Sequence, residues 1–120
     1  MPINIQTEEN AKLLIIPNTL NEEEMLAEIQ EVANTCFGIN KSFILDLNQV
    51  QNLSEEFQEK LCAMHDLFYH QHNLSFIISS PIHLISEENR QLLQVCPTQA
   101  EAIEIVNMEV IEREFLQDEE

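Results

Sequence analysis

Ser42-Phe43-Ile44-Leu45-Asp46-Leu47 carries apolar residues at adjacent positions, so a strand here is covered on both faces. Such a strand belongs inside a sheet packed on both sides, or near a topological switch point. Asp46 interrupts it with a charge that is costly to bury unpaired. That carboxylate is expected to accept hydrogen bonds from the loop that follows.

Upstream, Asn21 stands three residues before Glu24, the spacing of a capping box. Met25, Leu26, Ile29, Val32, Ala33 and Cys36 then share one arc at the helical period, which predicts an amphipathic helix over about 22–36. Gly38, the chain's one glycine, is placed to end it with a left-handed residue. Before that helix, Leu13-Leu14-Ile15-Ile16 closed by Pro17 reads as a buried strand. A short strand around Ile3 and Ile5 precedes it, and the polar turn between them implies antiparallel pairing.

Downstream, 48–53 reads as a loop and Ser54 as the cap of a second helix, with Glu55 and Glu56 at the positive end of its dipole. Phe57, Leu61, Met64 and Phe68 form its apolar stripe, over 55 to about 71. Leu74-Ser75-Phe76-Ile77-Ile78 is the next strand, Ser86-Glu87-Glu88-Asn89 a helical turn or two, and Leu92-Leu93-Gln94-Val95 a last short strand. Thr98 and Glu101 make a second capping box for a helix whose face carries Ala102, Ile103, Val106 and Val110. Ile105, Ile111 and Leu116 lie off that face. Three courses stay open for the end: a kink near Asn107, fraying, or contact with a second surface. Strands separated by helices imply right-handed parallel crossovers and an α/β fold.

Composition narrows function. The chain has 120 residues, 22 acidic against 5 basic, and a formal charge of -17. One domain fits that length. Three lysines and two arginines cannot build a phosphate-binding footprint, so no nucleic-acid partner is expected, and adsorption to anionic membranes is disfavoured. No apolar run approaches a membrane span and the start lacks a signal-peptide pattern, so no membrane insertion is expected. Cys36, Cys62 and Cys96 are odd in number and widely spaced, which reads as reduced thiols in a cytoplasmic protein.

Candidate chemistry is sparse. His70 and His72 would point apart on a helix, His65 flanks the apolar stripe, and His83 lies in a loop, so no metal site is expected. Cys96 is the thiol nearest a helix start, but core packing accounts for all three. No glycine-rich loop is present to cradle a cofactor. An enzyme would need a concave pocket near Asp46, Cys96 or the histidines. Ser54 is readable either as a plain cap or as a regulated, partner-facing hydroxyl.

Phe43-Ile44-Leu45-Asp46-Leu47-Asn48-Gln49-Val50 resembles the strand "hydrophobic, Leu-Asp-Leu-Ser, any, Val" of the STAS domain, the family of bacterial anti-sigma-factor antagonists and transporter tails. Asn48 replaces the serine. Leu93-Gln94-Val95 resembles the closing strand, and Thr98-Gln99-Ala100-Glu101-Ala102-Ile103 the start of the last helix. The resemblance implies a STAS-like (SpoIIAA-like) mixed sheet of about five strands with packed helices. It places the domain at 1–107, with 108–120 as an acidic helical extension or tail. The segment 79–92 is shorter than usual, so a reduced third helix is expected.

Regulated members carry Asp-Ser-Ser-Gly at the start of the second helix, where a partner kinase phosphorylates a serine. Aligned from Val50, this chain has Ser54-Glu55-Glu56-Phe57 there, with glutamates on both serine positions. A glutamate would imitate the phosphorylated state crudely. A shift of one or two residues would make Ser54 the acceptor. The resemblance implies a non-catalytic, cofactor-free regulatory module that binds a protein, such as an anti-sigma kinase-like regulator. The surface carried over is Asn48, Gln49, Gln51, Asn52, Ser54, Glu55, Glu56 and Glu59, polar and acidic enough to suit a basic groove. The alternative is a homodimeric assembly domain without a phosphorylation switch, with Ile105, Ile111 and Leu116 packed across a symmetric contact.

Overall fold

The computed structural model describes residues 4–118. Ile3 of the first expected strand and the acidic pair Glu119-Glu120 lie outside the described residues. Five strands form one sheet in sequence order: β1 (Asn4–Thr7), β2 (Ala11–Ile15), β3 (Ser42–Asp46), β4 (Phe76–Ser79) and β5 (Gln94–Cys96). β1 pairs antiparallel with β2, setting Ile5 opposite Leu14, and the other pairings are parallel. The helices are α1 (Glu22–Ile39), α2 (Glu55–Asp66), α3 (Glu87–Arg90) and α4 (Gln99–Asp118). When consecutive strands lie side by side and every crossover has one hand, the crossing helices fall on one face. Accordingly α1, α2 and the α3 region pack on one side of the sheet and α4 on the other. This is the α/β fold with a mixed five-stranded sheet that the sequence implies.

α1 starts on its capping box: Glu24 N donates to Asn21 Oδ1 at 2.8 Å, and Asn21 N donates to Glu24 Oε1 at 3.0 Å. Its end differs from expectation. The helix runs through Gly38, and Asn40 is the left-handed cap at φ 58°, ψ 46°. Asparagine tolerates that region better than other residues with a Cβ. Asn73, at φ 54°, turns the chain between α2 and β4 in the same way.

On this face Phe43, Phe68 and Phe76 meet with ring centroids 5.3–5.8 Å apart, and Phe37 of α1 reaches Phe68 at 4.6 Å. The stripe Phe57, Leu61, Met64, Phe68 is buried as its spacing requires. α2 loosens after Asp66 into a π-helical turn, Leu67–Gln71, so the helical stretch still ends at residue 71. The reduced helix expected within 79–92 is the single turn of α3.

The alternate side chains of the same strands face α4. Leu13, Ile44, Ile77 and Cys96 pack there against Ala102 and Val106. α4 is unbroken through Asn107, whose Oδ1 accepts from Asn10 Nδ2 at 2.9 Å. Ile105 joins this cluster, half-buried, whereas Ile111 and Leu116 are exposed. Farther on, Glu109 Oε1 accepts from Tyr69 OH at 2.6 Å and from Ser75 Oγ, and Arg113 Nη2 donates to Ser75 Oγ at 2.8 Å. Burial, then the hydrogen bond to Glu109, pushes the Tyr69 phenol well above its usual range.

Candidate functional site

β2, β3, β4 and β5 all end at the same edge of the sheet, where open α/β sheets present ligands and partners. β3 leads there into residues 47–54 and the start of α2. Asp46, 5% exposed, closes β3 on the α4 side. Its Oδ1 accepts from Asn48 N at 2.8 Å and Asn48 Nδ2 at 3.0 Å, while Oδ2 accepts from Gln99 Nε2 at the start of α4. Asn48 Nδ2 also donates to Ser79 Oγ at 2.9 Å. The buried carboxylate is therefore matched by amides and works as a fastener of the loop, in the way the strand pattern predicts.

Ser54 caps α2, with Oγ accepting from Phe57 N at 3.1 Å. It is also gripped from α1. Ser54 N donates to Glu22 Oε2 at 2.7 Å, and Ser54 Oγ donates to Glu22 Oε1 at 2.6 Å. One carboxylate thus ties the starts of α1 and α2 together. On the other flank, buried Gln58 donates through Nε2 to Leu53 O at 3.3 Å. Its Oε1 accepts from Ser86 N at 2.9 Å and from Asn89 Nδ2 at 3.0 Å. Asn89 Nδ2 also donates to Glu55 Oε1 at 3.0 Å. Loop 47–54, α2 and α3 are consequently one hydrogen-bonded unit.

All eight sequence-derived candidates, Asn48, Gln49, Gln51, Asn52, Ser54, Glu55, Glu56 and Glu59, lie exposed along this loop and the first turns of α2. Glu56 pairs with Lys60 at 3.5 Å, both on the surface. Two shallow clefts flank the Glu22–Ser54 contact. One of about 290 Å3 is lined by Pro17, Leu20, Met25, Val50, Gln51 and Asn52, and one of about 250 Å3 by Glu23, Leu26, Glu56, Phe57 and Lys60. Glu22 lines both. Sequence reasoning missed Glu22, Gln58 and Asn89. For Gln58 a signal exists: it is an uncharged amide beside the apolar stripe of α2, where a buried polar group needs partners. Glu22 carries none, because its partner lies 32 residues away.

The other chemical candidates are dispersed. Burial pushes the Cys36 thiol up to about 12. Burial also raises Cys62, helped by Glu55 and Glu59, and raises Cys96, so none is a poised nucleophile. Burial lowers His65, whose ring lies tilted against Tyr69 with centroids 4.4 Å apart. His72 stacks on Phe37 at 3.8 Å, and His70 pairs with Asp66 at 3.5 Å on the surface. Among the described residues, no three His, Cys, Asp or Glu side chains gather as a metal site. Nor is any helix among them long and apolar enough to cross a membrane.

By sequence, no family model and no curated protein matches the chain. By structure, it is similar to a serine-to-glutamate variant of RsbS from Moorella thermoacetica, with a TM-score of 0.71 at 10% identity, over 89% of this chain and 96% of that one. It is also similar to an anti-sigma factor antagonist from Mycobacterium paratuberculosis, with a TM-score of 0.66 at 13% identity, over 88% of this chain and 93% of that one. Strand order, crossover face and these two likenesses agree: the chain has the STAS fold of the anti-sigma factor antagonists.

Proposed function

We propose that the protein is a non-catalytic regulatory module that binds a protein partner through loop 47–54 and the first turns of α2. The observation that carries this reading is the mounting of eight exposed polar and acidic side chains on a frame fixed by Glu22, Asp46 and Gln58. A pre-ordered surface loses little entropy on docking. The clefts beside it are shallow and open, which suits a protein surface better than an enclosed substrate. Glu22, Glu23, Glu55, Glu56 and Glu59 outnumber Lys60 at this end, so its charge is net acidic and suits a basic groove on the partner. A kinase-like regulator of the anti-sigma type in the cytoplasm fits that description.

The switch differs from the phosphoserine pattern. Ser54 Oγ already donates to Glu22 and accepts from Phe57 N, and a phosphate there would face the Glu22 carboxylate. That supports a module held in one state by Glu55 and Glu56 rather than one cycled on Ser54. The test is a pull-down from native cytosol with wild type and the Glu55→Ala, Glu56→Ala double variant, read by mass spectrometry with phosphosite mapping of the bait. A regulator retained by wild type and lost from the variant is the expected result. Equal recovery by both would sink the proposed surface, and phosphate on Ser54 would overturn the fixed-state reading.

A further inference from the structure

α4 is packed on one side only, yet it is apolar on two. Ala102, Val106 and Val110 face the sheet. At 100° per residue, Met108, Ile111 and Phe115 share an arc of about 60° roughly opposite them. They are 61%, 64% and 62% exposed. Their spacing of three and four is that of a helix seam, and a second apolar stripe opposite the packed one gives a further helix something to cover. Single exposed apolar residues need no explanation, whereas a contiguous patch of them is often functional.

The charges beside the stripe are of one sign. Glu101, Glu104 and Glu112 are exposed and stand within or next to the same arc. The one cation of α4, Arg113, is turned inward to Ser75 and Glu109. A second copy of the chain would bring these glutamates against their own equivalents, and each copy carries -17. What matches is an apolar seam flanked by lysine or arginine. We propose that the outer face of α4, carrying Met108, Ile111 and Phe115, docks a basic amphipathic helix of a partner protein. This surface lies across the sheet from α2, so it is independent of the loop 47–54 surface.

The experiment uses a fluorescein-labelled synthetic helix with leucines at i, i+3, i+4 and i+7 and lysines on both flanks. A second peptide has the same composition shuffled so that no stripe forms. Fluorescence anisotropy against the full chain should show binding of the first and little binding of the second. Ile111→Ser with Phe115→Ser, both exposed and so harmless to the fold, should weaken binding about tenfold or more. Glu104→Lys with Glu112→Lys should weaken it comparably and flatten its salt dependence. The Glu55→Ala, Glu56→Ala variant should bind like wild type. Equal binding of the shuffled peptide, or no loss in the serine double variant, would overturn the proposal. Sedimentation showing a dimer that Ile111→Ser with Phe115→Ser dissolves would overturn it in favour of a second copy.

Discussion

The two faces of the sheet are held by different means. Toward α1 and α2 the core is aromatic and deep, with Phe43, Phe57, Phe68 and Phe76 buried among Leu and Ile. Toward α4 the buried members are Ala11, Leu13, Ile44, Ile77, Cys96, Ala102 and Val106, with no ring among them. Polar contacts compensate along α4, from Gln99–Asp46 at its start through Asn107–Asn10 to Glu109 with Tyr69 and Ser75. Dispersion and apolar burial scale with contact area, whereas a neutral hydrogen bond such as Asn10–Asn107 nets about 1 kcal/mol and one to a carboxylate about 1.5–3 kcal/mol. α1 and α2 should therefore share the global stability of the fold, and α4 should open at lower cost.

Truncating one side chain on each face gives the largest expected effect. Phe68→Ala removes the ring that touches Phe37, Phe43 and Phe76, and should cost about 3–5 kcal/mol in urea unfolding. Val106→Ala removes two methyls on the other face, about 1–2 kcal/mol at ~0.8 kcal/mol per buried carbon. Equal losses would erase the distinction between the faces.

The cysteines report the same contrast without a change of core shape. Cys36 is buried on the inner face of α1, Cys96 is buried under α4, and Cys62 is half-buried on α2. Alkylation at mildly alkaline pH, mapped by peptide mass, should label Cys62 first. Cys96 should follow at a rate nearly independent of low urea, because α4 opens locally. Cys36 should be labelled only at the rate of global unfolding, rising steeply with urea. Identical urea dependence for Cys36 and Cys96 would mean that the faces open as one unit.

The aromatic face was also the more legible one, for a physical reason. Its stripes repeat at 3.6 residues, and its caps, Asn21 with Glu24 and Ser54 with Phe57 N, close over three residues. Such signals are local, so one sequence carries them together with the order of elements, and the resemblance at 43–50 and 98–103 implied the mixed five-stranded sheet. The frame of the candidate surface was legible only where it is local, as in Asp46 accepting from Asn48. Glu22 meets Ser54 across 32 residues, Gln58 meets Ser86 across 28, and Asp46 meets Gln99 across 53. No periodicity announces a partner at that separation. The expected end of α1 at Gly38 failed differently: asparagine, two residues on, took the left-handed cap that glycine usually fills.

That misplaced end leads to the smallest prediction. Gly38 lies inside α1 without a positive φ, and a Cβ there would meet nothing within 4 Å. Gly38→Ala therefore strengthens the helix without touching the packing beneath it, and it reduces the freedom of the unfolded chain. The expected gain is about 0.5–1 kcal/mol, read as a raised urea midpoint with an unchanged slope. Because α1 belongs to the strongly packed face, the gain should appear in full in the protection of Cys36 and leave the local opening at Cys96 unmoved. A gain shared equally by both thiols would show that α4 opens only when α1 does.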